Sequence, residues 1–137
     1  MATVNIWAII VASIVAFGIG ALWYSPILFG KEWMSLMGMT DKDIAGAKAS
    51  SMWGSYVIHF IFTLISFIVV AFAIATTGSI GASNGAFVGF LAWLGFVVPI
   101  NASNLLWERK PFKLILINTI CILVTLVIGS AIIGGWR

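Results

Sequence analysis

Charge is what this sequence lacks. Of its 137 residues only 8% are charged, with four acidic side chains, one histidine and one cysteine. A soluble domain carries about 25% charged residues, so the scarcity excludes an ordinary water-facing surface and points to lipid as the solvent. A single cysteine, Cys121, excludes an internal disulfide and says little about redox compartment. With one His and one Cys, no zinc site and no nucleophile–base pair occurs at recognisable spacing. No metal, no cofactor and no catalytic residue are therefore expected, and enzyme activity gains no support from the residues. Haem held between two histidines would need a second copy of the chain to supply the second ligand.

Basic residues are few and segregated. Lys31, Lys42, Lys48, Arg109, Lys110 and Lys113 lie in two short segments, and Arg137 stands apart. Such clustering is a topology signal and not the footprint of a nucleic-acid partner.

What the sequence has is apolar length. Apolar residues make up 62% of the chain, and a bilayer core needs about 20 of them in a helix. Four windows qualify: residues 4–24, 53–77, 83–107 and 112–136. The expected fold is all-α: one four-helix transmembrane domain over residues 1–137. The first window follows no basic region and precedes no small-residue cleavage site, so it is expected to be a retained span and not a signal peptide. Basic residues gather in the first and third connections, which places those connections in the cytoplasm and both termini outside, with the inverted topology as the alternative. Trp23, Trp53, Trp107 and Trp136 fall at the ends of the windows, where indole rings favour the headgroup zone.

The long first connection carries two local signals. "PILFGKEWMSLMGM" mixes Trp33, Met34, Leu36 and Met37 with Lys31 and Glu32 and reads as a segment lying in the membrane interface. Its methionines lack Cys or His partners and read as apolar anchors rather than soft-metal ligands. "TDKD" then supplies Thr40 as a helix N-cap, with Asp41 and Asp43 in the first turn of a short helix over residues 41–50.

Small residues mark where spans can meet. Gly81, Gly85 and Gly89 recur every four residues in the third span, Ala12, Ala16 and Gly20 in the first, and Ser130 and Gly134 in the fourth. Lipid tails do not drive helices together, so small-residue ridges and interhelical hydrogen bonds do. Four helices leave little interior, and one ridge is expected to meet another subunit in a homo-oligomer.

Polar side chains inside the spans are the candidate site. Asn101, Asn104 and Glu108 share one helical face at i, i+3 and i+7. Pro99, just before them, removes a backbone hydrogen bond and leaves the carbonyl near Gly95 partly free. Asn101 lies six residues inside Trp107, His59 six inside Trp53 and Asn118 six inside Phe112. At about 1.5 Å per residue, each is about 9 Å from the cytoplasmic boundary. The expectation is an inward-facing polar layer of His59, Asn101 and Asn118, bracketed by Gly20 and Ser25, with Asn104 and Glu108 continuing it toward water. Unpaired polar groups facing hydrocarbon cost several kcal/mol, hence the inward orientation.

Such a layer admits two roles; the leading expectation is a homo-oligomeric permeation or binding protein for a small polar solute or ion, with a structural or assembly subunit of a membrane complex as the alternative. One is structural: amides and imidazole bonded across helices, each contributing about 0.6 kcal/mol, as in an assembly subunit of a larger complex. The other is a cytoplasm-facing cavity binding or passing a small polar solute or ion, with His59 as the ionisable group inside the membrane. A lipid-directed enzyme using Glu108 and His59 as acid–base groups is weaker than both, because about two helical turns separate their levels and no nucleophile is evident.

Three stretches, "GALWYSPILFGKEWM", "LLWERKPFKLILIN" and "GSAIIGGW", occur in this order across nearly the whole chain. Together they resemble the family known as domain of unknown function 1761. The resemblance implies a small four-span membrane protein of bacterial type, in an inner (plasma) membrane, and brings no established activity.

Overall fold

A computed structural model describes residues 4–25, 27–36, 53–78, 80–108 and 111–136, with the backbone alone described at Trp53. The regular structure among these residues is entirely helical. The expected helix over residues 41–50 and its Thr40 cap lie outside the described residues. Four helices are long and apolar enough to cross a membrane: Ile6–Trp23, Gly54–Thr77, Ala82–Trp107 and Phe112–Gly135. Helix is the conformation such apolar runs must take, because hydrocarbon offers no partner for a backbone N–H or C=O.

The first span, α1 (Ile6–Trp23), is capped by Asn5, whose side-chain oxygen accepts the N–H groups of Trp7 and Ala8 at 3.0 and 3.3 Å. At its far end the chain folds back sharply. The Phe29 N–H bonds to the Trp23 carbonyl at 3.0 Å and the Gly30 N–H to the Ser25 carbonyl at 2.9 Å. A Cβ at Gly30 would run into the Tyr24 and Ser25 carbonyls, so glycine is what lets α2 (Gly30–Leu36) begin there. The Trp23 ring packs on Phe29 and the Tyr24 ring on Trp33, at centroid distances of 4.7 and 5.6 Å. The segment read from the sequence as interfacial is thus in part a helix of about two turns tied to the end of α1.

The second span is α3 (Trp53–Thr77). The turn after it carries Gly78 and Gly81 at φ of 69° and 103°, left-handed conformations that other residues adopt with difficulty. The third span is interrupted. It runs as α4 (Ala82–Ala92), a π-helical turn (Trp93–Val97) and α5 (Val98–Trp107). The Val98 N–H reaches back five residues to the Trp93 carbonyl, and Pro99 has no N–H to offer Gly95. The break anticipated at the proline is therefore taken up as a wide turn upstream of it. The fourth span is α6 (Phe112–Gly135).

Adjacent spans run antiparallel. Asn5 Nδ2 donates to the Trp136 carbonyl at one end of the α1–α6 pair, and the Trp23 indole donates to the Ile117 carbonyl at the other. Ala8, Ile9, Ala12 and Ala16 of α1 form a core with Phe67, Val70, Ala71 and Ile74 of α3 and with Ile133 of α6. Gly20, expected to extend the α1 ridge, has open space where a Cβ would stand and takes no part.

Among the described residues the most extensive helix contact is α4 with α6. A Cβ at Gly85 would strike the Ser130 carbonyl, one at Gly89 would lie 2.5 Å from Ser130 Oγ, and one at Gly134 would lie 2.5 Å from the Gly81 carbonyl oxygen. The Gly81 N–H also donates to the Gly134 carbonyl at 2.9 Å. The Gly81–Gly85–Gly89 ridge thus faces Ser130 and Gly134 of the same chain.

Candidate functional site

Polar side chains of the spans gather on one stretch of α6, Ile117 to Cys121. On one side the Tyr24 hydroxyl donates to Asn118 Oδ1 at 2.7 Å, and the Trp23 indole donates to the Ile117 carbonyl at 3.2 Å. Cys121, one turn on from Asn118, has its thiol beside the same Tyr24 hydroxyl. On the other side Asn101 Nδ2 donates to Thr119 Oγ1 at 3.1 Å, and the Trp93 indole donates to the Thr119 carbonyl at 2.8 Å. Thr119 is buried, whereas Asn101, Asn118, Trp23, Tyr24 and Trp93 are half-buried.

The expected three-member layer is accordingly split. Asn118 and Thr119 are neighbours, so their side chains leave α6 about 100° apart. Asn118 turns toward α1 and Thr119 toward α5. Asn101 meets Thr119 rather than Asn118. Counting residues from the span ends gave a common depth but no direction around the helix axis.

His59 does not join either pair. It is exposed on α3, and its ring lies tilted against Phe17 at a centroid distance of 5.8 Å. The core side of α3 is set by Phe67, Ala71 and Ile74, with Phe60 on the same face. His59 precedes Phe60 by one residue and so points about 100° away from that side. Among the described residues the imidazole nitrogens make no hydrogen bond. Asn104 is half-buried, and its carbonyl accepts the Glu108 N–H at 3.0 Å; the Glu108 side chain is exposed.

Other hydroxyls in the spans turn back on their own helix. Thr63 donates to the His59 carbonyl at 2.9 Å, Ser66 to the Phe62 carbonyl at 3.1 Å and Ser13 to the Ile9 carbonyl at 2.8 Å. This is how a hydroxyl without a partner on another helix is satisfied where no water is present. Ser130 differs: its hydroxyl is fully buried against the glycine ridge with no partner among the described residues.

Tyr24, Trp93 and Thr119 were not singled out from the sequence, although each carries part of the cluster. Tyr24 and Trp93 fit the aromatic pattern of span ends and interiors, and Thr119 is masked by its stronger neighbour Asn118. A usable signal was the pair "NT" itself, two adjacent polar residues in a mostly apolar α6 sequence. No group of His, Cys, Asp and Glu able to hold a metal occurs among the described residues.

No curated protein and no solved structure matches the chain. The sequence model of one family, described as "Protein of unknown function (DUF1761)", matches residues 7–134. With that match spanning all four apolar helices, the chain belongs to the DUF1761 family.

Proposed function

We propose that the chain is an assembly subunit of a membrane complex, working through contacts between spans and not through a solute path of its own. The observation that carries this reading is the closure of the polar groups on α6. Tyr24 with Asn118, and Asn101 with Thr119, pair within one chain, so each amide ties one helix to another. Homo-oligomerisation is part of the reading, since an ionisable side chain within a span normally faces a protein partner, and His59 has its exposed face on α3. Extraction into lipid nanodiscs followed by native mass spectrometry tests it. A defined complex of two or more chains, or of this chain with a fixed partner, is expected; a lone monomer in every mild extraction overturns it.

A second reading is favoured by His59 itself. In a homo-oligomer whose α3 helices face a common axis, an imidazole without a hydrogen bond would line a path for a small polar solute or ion. Proteoliposome flux tests it, with His59→Leu expected to abolish the flux; equal flux in wild type and variant removes this reading. In both readings the basic first and third connections lie in the cytoplasm and the termini outside, in a bacterial inner (plasma) membrane. Supporting this, Lys31 and Lys113 lie at one end of the bundle, lining one recess in which Glu32 pairs with Lys113.

A further inference from the structure

A recess of about 270 Å³ lies between α2 and the first turn of α6, lined by Lys31, Glu32, Ser35, Leu36 and Lys113. We infer that it holds the phosphate of a membrane phospholipid headgroup.

The lining has the chemistry for it. Two ammonium groups face one carboxylate, so the recess is net positive after Glu32 and Lys113 have paired at 3.1 Å. Both partners of that pair are about half or more exposed, at 49% and 62%, and an exposed pair of this kind contributes little. It opens or shares its lysine at small cost when a phosphate arrives. Lys31 is exposed and stands at the recess beside Glu32. The Ser35 hydroxyl adds an uncharged donor, which a phosphate oxygen accepts.

Position decides between a lipid and a phosphate free in water. Lys113 is the second residue of a membrane-spanning helix, and α2 begins within a few residues of the end of another. The recess therefore sits where hydrocarbon gives way to headgroups. Below it an apolar track begins. Leu116, one turn on from Lys113 and on the same face, is 42% exposed, and Leu36 forms part of the recess wall. A free phosphate ion has no use for that track, whereas an acyl chain lies along it.

Native mass spectrometry of the full chain in detergent tests the assignment, with phosphatidylglycerol, phosphatidylethanolamine or uncharged diacylglycerol titrated in. Both phospholipids are expected to bind more tightly than diacylglycerol. Each of Lys31→Gln and Lys113→Gln should weaken phospholipid binding about fivefold, following the attraction of a lipid surface for one basic side chain, without changing diacylglycerol binding. Glu32→Gln should strengthen phospholipid binding, because it releases Lys113 and removes the competing anion. This opposite response separates the site from general damage to the fold. Wild-type binding in the double lysine variant overturns the proposal, as does equal binding of phospholipid and diacylglycerol. Displacement of the lipid by glycerol phosphate at comparable concentration also overturns it, since the occupant is then a soluble phosphate.

Discussion

Single atoms at the α4–α6 contact set how close those helices come. Gly89 faces Ser130 Oγ and the Leu126 carbonyl at 2.5 and 2.7 Å from where a Cβ would stand. Gly89→Ala therefore forces the helices apart, and overpacking of this kind costs about 1–3 kcal/mol. Unfolding in a graded detergent mixture should register the loss, and Ser130→Gly on the same background should recover part of it. Ser130 alone behaves in the opposite sense. Its buried hydroxyl has no partner among the described residues, and such a group carries a desolvation penalty of about 1–3 kcal/mol. Ser130→Ala is expected to be neutral or stabilising in the same assay; a marked destabilisation would show that the hydroxyl is bonded after all. At the other end of α6, Tyr24→Phe strips Asn118 of its donor at 2.7 Å. A double-mutant cycle of Tyr24→Phe with Asn118→Leu should give a coupling of about 0.6–1.7 kcal/mol, the range for hydrogen bonds between membrane helices.

At the scale of the element, the π-turn in the third span is what lets two side chains reach one residue. Trp93 and Asn101 are eight positions apart, which in an unbroken α-helix leaves them about 80° apart around the axis. A π-turn takes in one extra residue, so the separation becomes that of seven α-helical steps, about 20°. Both then face α6, where the indole bonds to the Thr119 carbonyl and the amide to the Thr119 hydroxyl. Gly95 lies in this turn, and a Cβ there would meet nothing. Deleting Gly95 should restore plain α-helix with Trp93 and Asn101 seven positions apart, about 20° around the axis, and so keep both facing α6. The coupling between Asn101→Ala and Thr119→Val, present in the parent, should survive this deletion and vanish when one residue is inserted after Gly95, which turns Asn101 by about 100°. Pro99→Ala should leave that coupling in place, because the two hydrogen bonds hold the register on either side. The proline made a break in this span legible from sequence. The direction of each helix face beyond the break was not, since it depends on how many residues the turn absorbs.

For the whole molecule, the antiparallel packing of the spans places the α2 recess and the turn at Gly78–Gly81 at opposite ends. The terminal contacts fix this: the Gly81 N–H bonds to Gly134 near the end of α6, whereas Glu32 pairs with Lys113 at its start. Under the proposed orientation, Ser83→Cys in intact cells should react with a membrane-impermeant maleimide and Lys31→Cys should not. Cys121 is buried and should contribute little background. The reverse labelling pattern would establish the inverted topology. The arrangement also explains why the small-residue ridges did not have to serve a second chain. The α4 ridge is spent on α6, and the Ala12–Ala16 part of the α1 ridge lies in the core with α3. Any contact between copies must then use other surfaces, such as the face of α3 around His59.

The sequence by itself determined the solvent, the number of spans and their limits to within two residues. These follow from the length of apolar helix that hydrocarbon demands and from the lack of charge inside it. Counting along the helices also gave the expectation of a common depth for His59, Asn101 and Asn118, and Asn101 does meet Thr119, the neighbour of Asn118. Only the tertiary structure decided which side chains meet. Direction around each axis depends on the wide turn before Pro99, on the close approach at Gly85 and Gly89, and on which face of α3 the α1 alanines cover. These are properties of helices packed together, and no single span contains them.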